Sequence, residues 1–488
     1  MENLTFTTPE SLGIPSNAIT DFLNKLTDWR LCMHSFVLLR HGKVAAEGYW
    51  PPFNKDRKHR MYSISKSFTA IAVGMMIDEG KLSLNSTAAE FFPEYLPASP
   101  HPYVLEATVR DLLMMATQNE RNSYNWQSTD YTETFFNHAA PKHKPGQFFS
   151  YDTAATTVLC AIVEKLSGKK IIDYMMPVLA ETGFSQDAYC IETPEGRSWP
   201  GSGIMCTPRD LARFAQLCMN SGEWNGKQLL NRDYVTEATS WQIDTSVSAG
   251  ASEMRHGYGY QIWRLRKGGF AFCGMGSQYA FCMPQNGTIL VLNGDTQGTE
   301  SAADVLFNMY YDLVDKMSPS PLPEDAAAQS KLADCVSRLA LPLPLGKKET
   351  TLAKEISGKK YILEQNEANM KWLRLNIEAG KCRLQYENAS GQHELVFGMG
   401  YYEPQLFPEK YNGRRMSVKD THYQCIAAGV WSPDNALVAT VYSVDDHLGS
   451  FKLQLTFEGD EVTGFMTKAA EDFFDEYQGF LVGKTKGE

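Results

Sequence analysis

What this chain lacks already excludes several functions. No apolar run reaches the roughly 20 residues needed to cross a bilayer, so membrane insertion is not expected. Basic residues are in the minority, 46 Lys and Arg against 57 Asp and Glu, for a net charge of −11. No Lys/Arg cluster is interleaved with aromatics, which is what a phosphate backbone requires, so a nucleic-acid partner is not expected either. Small neutral or cationic substrates suit the charge better. None of the ten cysteines forms a C-x-x-C pair, and Cys160, Cys218 and Cys273 lie in apolar stretches. Buried thiols in a reducing compartment are expected, not disulfides or a zinc site. His41, His59, His101, His138, His143 and His256 are scattered, with no H-E-x-x-H or H-x-H spacing, which argues against a metal centre. No serine stands in G-x-S-x-G, which removes the nucleophile elbow of the α/β-type Ser-His-Asp enzymes. Met1-Glu2-Asn3-Leu4-Thr5 has neither the basic region nor the apolar stretch of a signal peptide. A cytoplasmic protein without a cofactor is expected.

What is present is a globular composition, 43% hydrophobic and 21% charged over 488 residues, enough for two or three domains. The chain is organised around Arg60-Met61-Tyr62-Ser63-Ile64-Ser65-Lys66-Ser67-Phe68-Thr69. From Phe68 the apolar residues Ile71, Ala72, Met75 and Met76 keep helical spacing until Gly80, so Ser63 and Lys66 share one face near a helix start. A serine hydroxyl needs a neighbouring base, and a desolvated lysine can be neutral enough to serve. N–H groups at the helix start can face an oxyanion formed when Ser63 attacks a carbonyl.

The rest of the first 317 residues supplies a sheet and further helices. Ser35 to Tyr49 reads as a hairpin turning at Arg40-His41-Gly42-Lys43. Thr108 to Asp111 and Thr207 to Asp210 are capping boxes, so helices begin at Val109 and Pro208. Lys144-Pro145-Gly146 leads through Tyr151-Asp152-Thr153 into a helix closed by Gly168. Tyr151 just before it could exchange a proton with Ser63, so Lys66 and Tyr151 both stand as candidate bases. From 257 to 292 the pattern turns to period 2, an antiparallel meander with Cys273-Gly274-Met275-Gly276-Ser277-Gln278 between its strands, and a helix over 302–314 covers it.

Taken together, these motifs and their order resemble the serine β-lactamase-like hydrolases, the group of AmpC-type β-lactamases, penicillin-binding proteins, carboxylesterases and 6-aminohexanoate-dimer hydrolases. The resemblance covers roughly residues 10 to 315. It implies an α/β (α+β) domain, an antiparallel sheet flanked by helices with a helical subdomain. It also implies Ser63 as acylated nucleophile, Lys66 as its amine partner and Tyr151 as the tyrosine of the Tyr-x-Asn/Ser element. Gly274, Met275, Gly276, Ser277 and Gln278 correspond to the substrate and oxyanion element, with the backbone N–H of Ser277 or Gln278 paired with that of Ser63. The chain departs from the pattern twice: Thr153 stands where Asn or Ser is usual, and Met275 or Gly274 where Lys or His is usual.

Two proline-rich spacers, 318–323 and 341–346, bracket one short helix, so 1–317, a linker 318–346 and 347–488 are the expected units. Beyond Gly346 alternating strands predict an antiparallel β-barrel-like accessory domain without a catalytic cluster, serving as a wall to the cleft or a contact in a homo-oligomer. A serine hydrolase of small esters, amides or lactams is the function this implies. An acyltransferase using the same Ser63 acyl-enzyme, or a non-catalytic binding protein, are the alternatives.

Overall fold

The computed structural model describes residues 4–120, 122–125, 128–138, 140–248, 250–299, 301–410, 422–470 and 477–485. The chain forms two units, Met1–Leu341 and Pro342–Glu488. In the first, helix α1 (Ser16–Asp28) precedes the hairpin β1 (Met33–Arg40) and β2 (Lys43–Tyr49), whose turn residues His41 and Gly42 both have positive φ, as a tight hairpin needs. Helices α2 (Ser65–Asp78), α3 (Thr153–Ser167) and α4 (Pro208–Met219) follow. Strands β3 (Trp263–Arg264), β4 (Phe270–Gly274), β5 (Gln278–Met283) and β6 (Thr288–Gly294) complete the sheet, ahead of α5 (Ala302–Asp315) and α6 (Ala326–Ser337). The antiparallel order is β2-β1-β6-β5-β4-β3.

Pleat alternation decides what covers each face. Tyr279 and Phe281 of β5 meet Phe307 of α5, while Phe272 of β4, which pairs with Ala280, meets Phe214 of α4. The two helices therefore lie on opposite faces. Behind α4 runs α2, with Phe68 stacked on Phe214 at 3.7 Å. Because α2 packs between α4 and the helical layer of α3, it is buried around most of its girth; the apolar stripe read from the sequence is only part of its buried surface. Gly74 lets a further short helix, Arg232–Ala238, approach as well, since a methyl there would meet the Tyr234 ring at 2.3 Å.

Two local expectations differ from the structure. The stretch 257–262 is not strand. The N–H of Tyr260 bonds Ala238 O and that of Gln261 bonds Leu113 O, so they point to neighbouring helices and not to a ladder, and Gln261 has φ 58°. All six residues are buried, so the alternation of residue types there marks no sheet face. The short helix between the proline-rich stretches, α6, lies in the first unit, packed on α1 with Ala328 and Leu332 buried.

The second unit carries β7 (Lys360–Leu363), β8 (Trp372–Glu378), β9 (Lys381–Asn388), β10 (Gly391–Met399), β11 (Glu403–Leu406), β12 (Gln424–Trp431), β13 (Leu437–Val444), β14 (Leu448–Glu458), β15 (Glu461–Ala470) and β16 (Gly479–Thr485). Antiparallel neighbours run β10-β9-β8-β7-β16-β15-β14-β13-β12, and a parallel pairing of Gly398 and Met399 with Ala428 and Gly429 joins β10 to β12. The result is a closed nine-strand barrel, with β11 pairing β12 over 424–427, next to the residues that meet β10. Alternate residues such as Leu373, Leu375, Leu384 and Tyr386 fill its interior.

Candidate active site

Ser63 sits in a 3-10 turn, Tyr62–Ile64, that runs straight into α2. Tyr62 holds φ at 47°, a costly conformation for a bulky residue. Its surroundings hold it there. The two-residue strand His59–Arg60 pairs with Ile204–Cys206, Met61 N–H donates to Ile204 O at 2.8 Å, and Ile204 N–H donates to Ser65 Oγ at 3.0 Å. The buried Arg60 guanidinium lies 4.2 Å from the Tyr62 ring and 4.7 Å from that of Trp199, and donates to Ser202 O at 3.1 Å and Ser202 Oγ at 2.8 Å.

This lacing delivers the backbone of Gly201 to Lys66. Lys66 is 1% exposed, and its Nζ lies 2.9 Å from Ser63 Oγ and 2.7 Å from Gly201 O. Burial lowers its pKa from the usual lysine range to about 7, against a smaller upward pull from Asp152. A neutral amine can donate to Gly201 O and turn its lone pair to the Ser63 hydroxyl. Gly201 leaves room that a side chain would take: a methyl there would lie 2.2 Å from Thr153 Cγ2 and 3.7 Å from Lys66 Nζ.

Tyr151 arrives from the loop before α3. Its ring centre is 5.1 Å from Lys66 Nζ, and it stacks on Trp263 at 5.9 Å. Burial pushes the phenol well above its ordinary pKa, so it holds its proton at neutral pH. Next to it, Asp152 is 0% exposed and caps α3 through Ala154 N–H. It also accepts from Ser123 N–H, Ser123 Oγ and Asn119 Nδ2. Tyr124, hydrogen-bonded to Thr157, borders the same spot.

The glycine-rich turn meets the nucleophile at Gly274, where a methyl would sit 2.5 Å from Met61 O. Met275 is 41% exposed. Ser277 and Gln278 do not face outward. Ser277 is buried and bonded to Thr296 Oγ1 at 2.6 Å. The buried Gln278 donates to Met275 O and Gly294 O and accepts from Asn293 Nδ2. Both side chains brace the turn, and within the expected element Gly274 is the residue packed against the chain just before Ser63. Sequence reasoning gave no role to Gly201, Asp152 or Tyr124. The only signal for Asp152 was its place beside Tyr151.

Among the described residues no group of three or more His, Cys, Asp or Glu side chains could hold a metal ion, and no helix is long and apolar enough to cross a membrane. All ten cysteines are free.

A family model described as Beta-lactamase matches residues 33–308. A 6-aminohexanoate-dimer hydrolase from Paenarthrobacter ureafaciens is 29% identical over 223 residues, which span 42% of this chain and 56% of that relative's length. A Bacillus anthracis structure solved as a candidate 6-aminohexanoate-dimer hydrolase covers 66% of this chain and 89% of its own, with 22% identity and a TM-score of 0.54. An octameric penicillin-binding protein homologue from Pyrococcus abyssi covers 96% of this chain and 99% of its own, with 14% identity and a TM-score of 0.50. The last two are likenesses of fold.

Proposed function

The chain belongs to the beta-lactamase family, and from that premise we propose that it is a serine hydrolase of small esters or amides acting through a Ser63 acyl-enzyme. The observation that carries this reading is the contact of Ser63 Oγ with Lys66 Nζ at 2.9 Å, in surroundings that bring the amine to a pKa of about 7. Lys66 is the base: as Ser63 attacks the carbonyl carbon, its proton passes to the Lys66 lone pair. Tyr151, whose pKa is raised, does not compete for that proton. It acts as a phenol, donating to the departing oxygen or nitrogen while Lys66 returns its proton to the relay. The oxyanion is held by the backbone N–H groups of Ser63 and of Met275, the residue after the close approach at Gly274. Water then repeats the sequence on the acyl-Ser63 ester.

The third element supports a preference for esters or amides without a carboxylate beside the scissile bond. The side chain of Met275 brings neither charge nor donor where a cation would bind that carboxylate. A charge-assisted hydrogen bond is worth about 1.5–3 kcal/mol, or roughly ten- to a hundredfold in kcat/KM. The test compares kcat/KM for 4-nitrophenyl butyrate and nitrocefin in the natural protein, M275H and S63A. Ester turnover well above nitrocefin turnover, a gain on nitrocefin in M275H and loss of both in S63A are expected. Nitrocefin turnover rivalling that of the ester in the natural protein overturns the specificity reading.

A further inference from the structure

The end of the first unit's sheet away from Ser63 carries a second cavity. β5 runs from Gln278, beside the glycine-rich turn, to Met283, and β6 returns from Thr288 to Gly294. The turn that joins them, Pro284–Asn286, therefore lies a strand length from the glycine-rich turn, roughly 17 Å at the usual rise. α4 follows the same course: it starts beside Ile204–Cys206, and its last residues bring Gln216, Met219 and Asn220 to the far end. Together with the β1–β2 turn at 41–43 and the short hairpin of Glu223–Trp224 with Lys227–Gln228, they line a cavity of about 710 Å³, within the roughly 300–1,000 Å³ of small-molecule sites. We propose that this cavity binds a neutral saccharide, a role independent of the chemistry at Ser63.

Two buried polar atoms among its lining residues have no hydrogen-bond partner among the described residues. Gln216 is 5% exposed, and its amide pairs with Asn220 at 2.8 Å through one end only. Whichever way round the amide lies, its other end is unpaired. The indole N–H of Trp224 is likewise buried and unpaired. Folded chains seldom leave such groups without water or ligand, because each has given up its hydrogen bonds to solvent. The indole can only donate and needs an acceptor, whereas the unpaired oxygen of Gln216 needs a donor. A hydroxyl is both. An anion without a proton answers the indole and not the amide. The rest of the lining agrees. Asn220, Asn225 and Thr5 add neutral amides and a hydroxyl. Burial and the nearby Arg40 hold the His41 pKa below the usual histidine range, which leaves Lys43 as the charged group among the described lining residues at neutral pH. No carboxylate stands among them, so an amine-bearing ligand finds no counter-charge. Leu4, Met219, Pro284 and the Trp224 ring supply the apolar surface on which the C–H face of a sugar ring rests.

The test is saturation-transfer NMR on the full chain with maltose, cellobiose, lactose and N,N′-diacetylchitobiose at millimolar concentration, with hexanoate and hexylamine as charged comparators, in the natural protein, Q216L, W224A and W224F. Gln216→Leu keeps the bulk of the side chain and removes its amide, and Trp224→Phe keeps a ring and removes the N–H, so the pair carries the test even where Trp224→Ala fails to fold. Circular dichroism melts check each variant. Transfer to at least one of the four sugars is expected, with its Kd raised about tenfold in Q216L and in W224F. A sugar that binds the variants as well as the natural protein sits elsewhere, a response to hexanoate or hexylamine alone gives the wrong ligand class, and silence from all four sugars leaves the cavity to water. Each of these overturns the proposal.

Discussion

At the scale of single residues, the proposed catalysis depends on Ser63, Lys66 and Tyr151 sharing one proton. Lys66→Ala and Tyr151→Phe should each lower kcat by about 10²–10⁴-fold, the range for a positioned acid or base, and the double variant should be little worse than the poorer single one. Steady-state kinetics with a nitrophenyl ester checks this, and multiplicative losses would show the two residues acting in separate steps. Lys66 also has a signature in stability. In the unfolded chain it binds a proton up to the ordinary lysine range, whereas in the folded protein it has lost it above about 7. Between these limits the unfolded state holds more protons, so stability from this group rises with pH, by about 1.4 kcal/mol per unit. Denaturant titrations of the natural protein and Lys66→Met across pH 7 to 10 should diverge by that slope. Parallel curves would mean that Lys66 remains charged when folded.

At the scale of elements the site depends on how closely backbones approach α2. Gly201→Ala places a methyl 2.2 Å from Thr153 Cγ2, so the segment must retreat and take its carbonyl from Lys66. Ester turnover is expected to drop at least tenfold, about 1.4 kcal/mol in the barrier, and adding Thr153→Ser, which deletes that methyl, should restore most of it. Failure of the rescue would mean that Gly201 matters for another reason. The same closeness explains what the sequence made legible. Ser63, Lys66 and Tyr151 were readable because a hydroxyl and an amine on one helix face, and a tyrosine at a helix start, follow from local spacing. The partners of Lys66 were not, because Gly201 is brought in by the pairing of Ile204–Cys206 with His59–Arg60, a long-range contact with no local pattern. The side-chain bonds of Gln278 to Met275 O and Gly294 O, which brace the turn, had no local signal either. The stretch 257–262 imitated a strand because tight burial on all sides leaves no helical periodicity behind.

At the scale of the whole molecule the proline-rich stretches and the change from helical to period-2 patterning marked a second unit, and alternation in most of its strands predicted a barrel-like fold without fixing its closure. The parallel pairing between β10 and β12 that closes the barrel had no sequence signal. Within that barrel Glu409 accepts from Tyr386 at 2.7 Å, Asn388 at 2.8 Å and Ser390 at 2.9 Å, and also from Tyr477. Burial alone would raise its pKa, but these donors outweigh it and hold the carboxylate below its ordinary range. Its stabilising contribution is thus present above the unfolded carboxylate pKa and lost as pH falls through the lower folded value. Glu409→Gln should cost about 1–3 kcal/mol at neutral pH and flatten the acid limb of barrel unfolding, followed by calorimetry. Full stability in that variant would remove Glu409 from the account of the barrel.

The most direct measurement is intact and peptide mass spectrometry of the protein treated with a fluorophosphonate, near pH 8, where most of Lys66 is neutral. One adduct per chain, carried by the peptide that contains Ser63 and absent in Ser63→Ala, is the predicted result. An adduct on another residue, or one that persists in Ser63→Ala, contradicts Ser63 as the nucleophile.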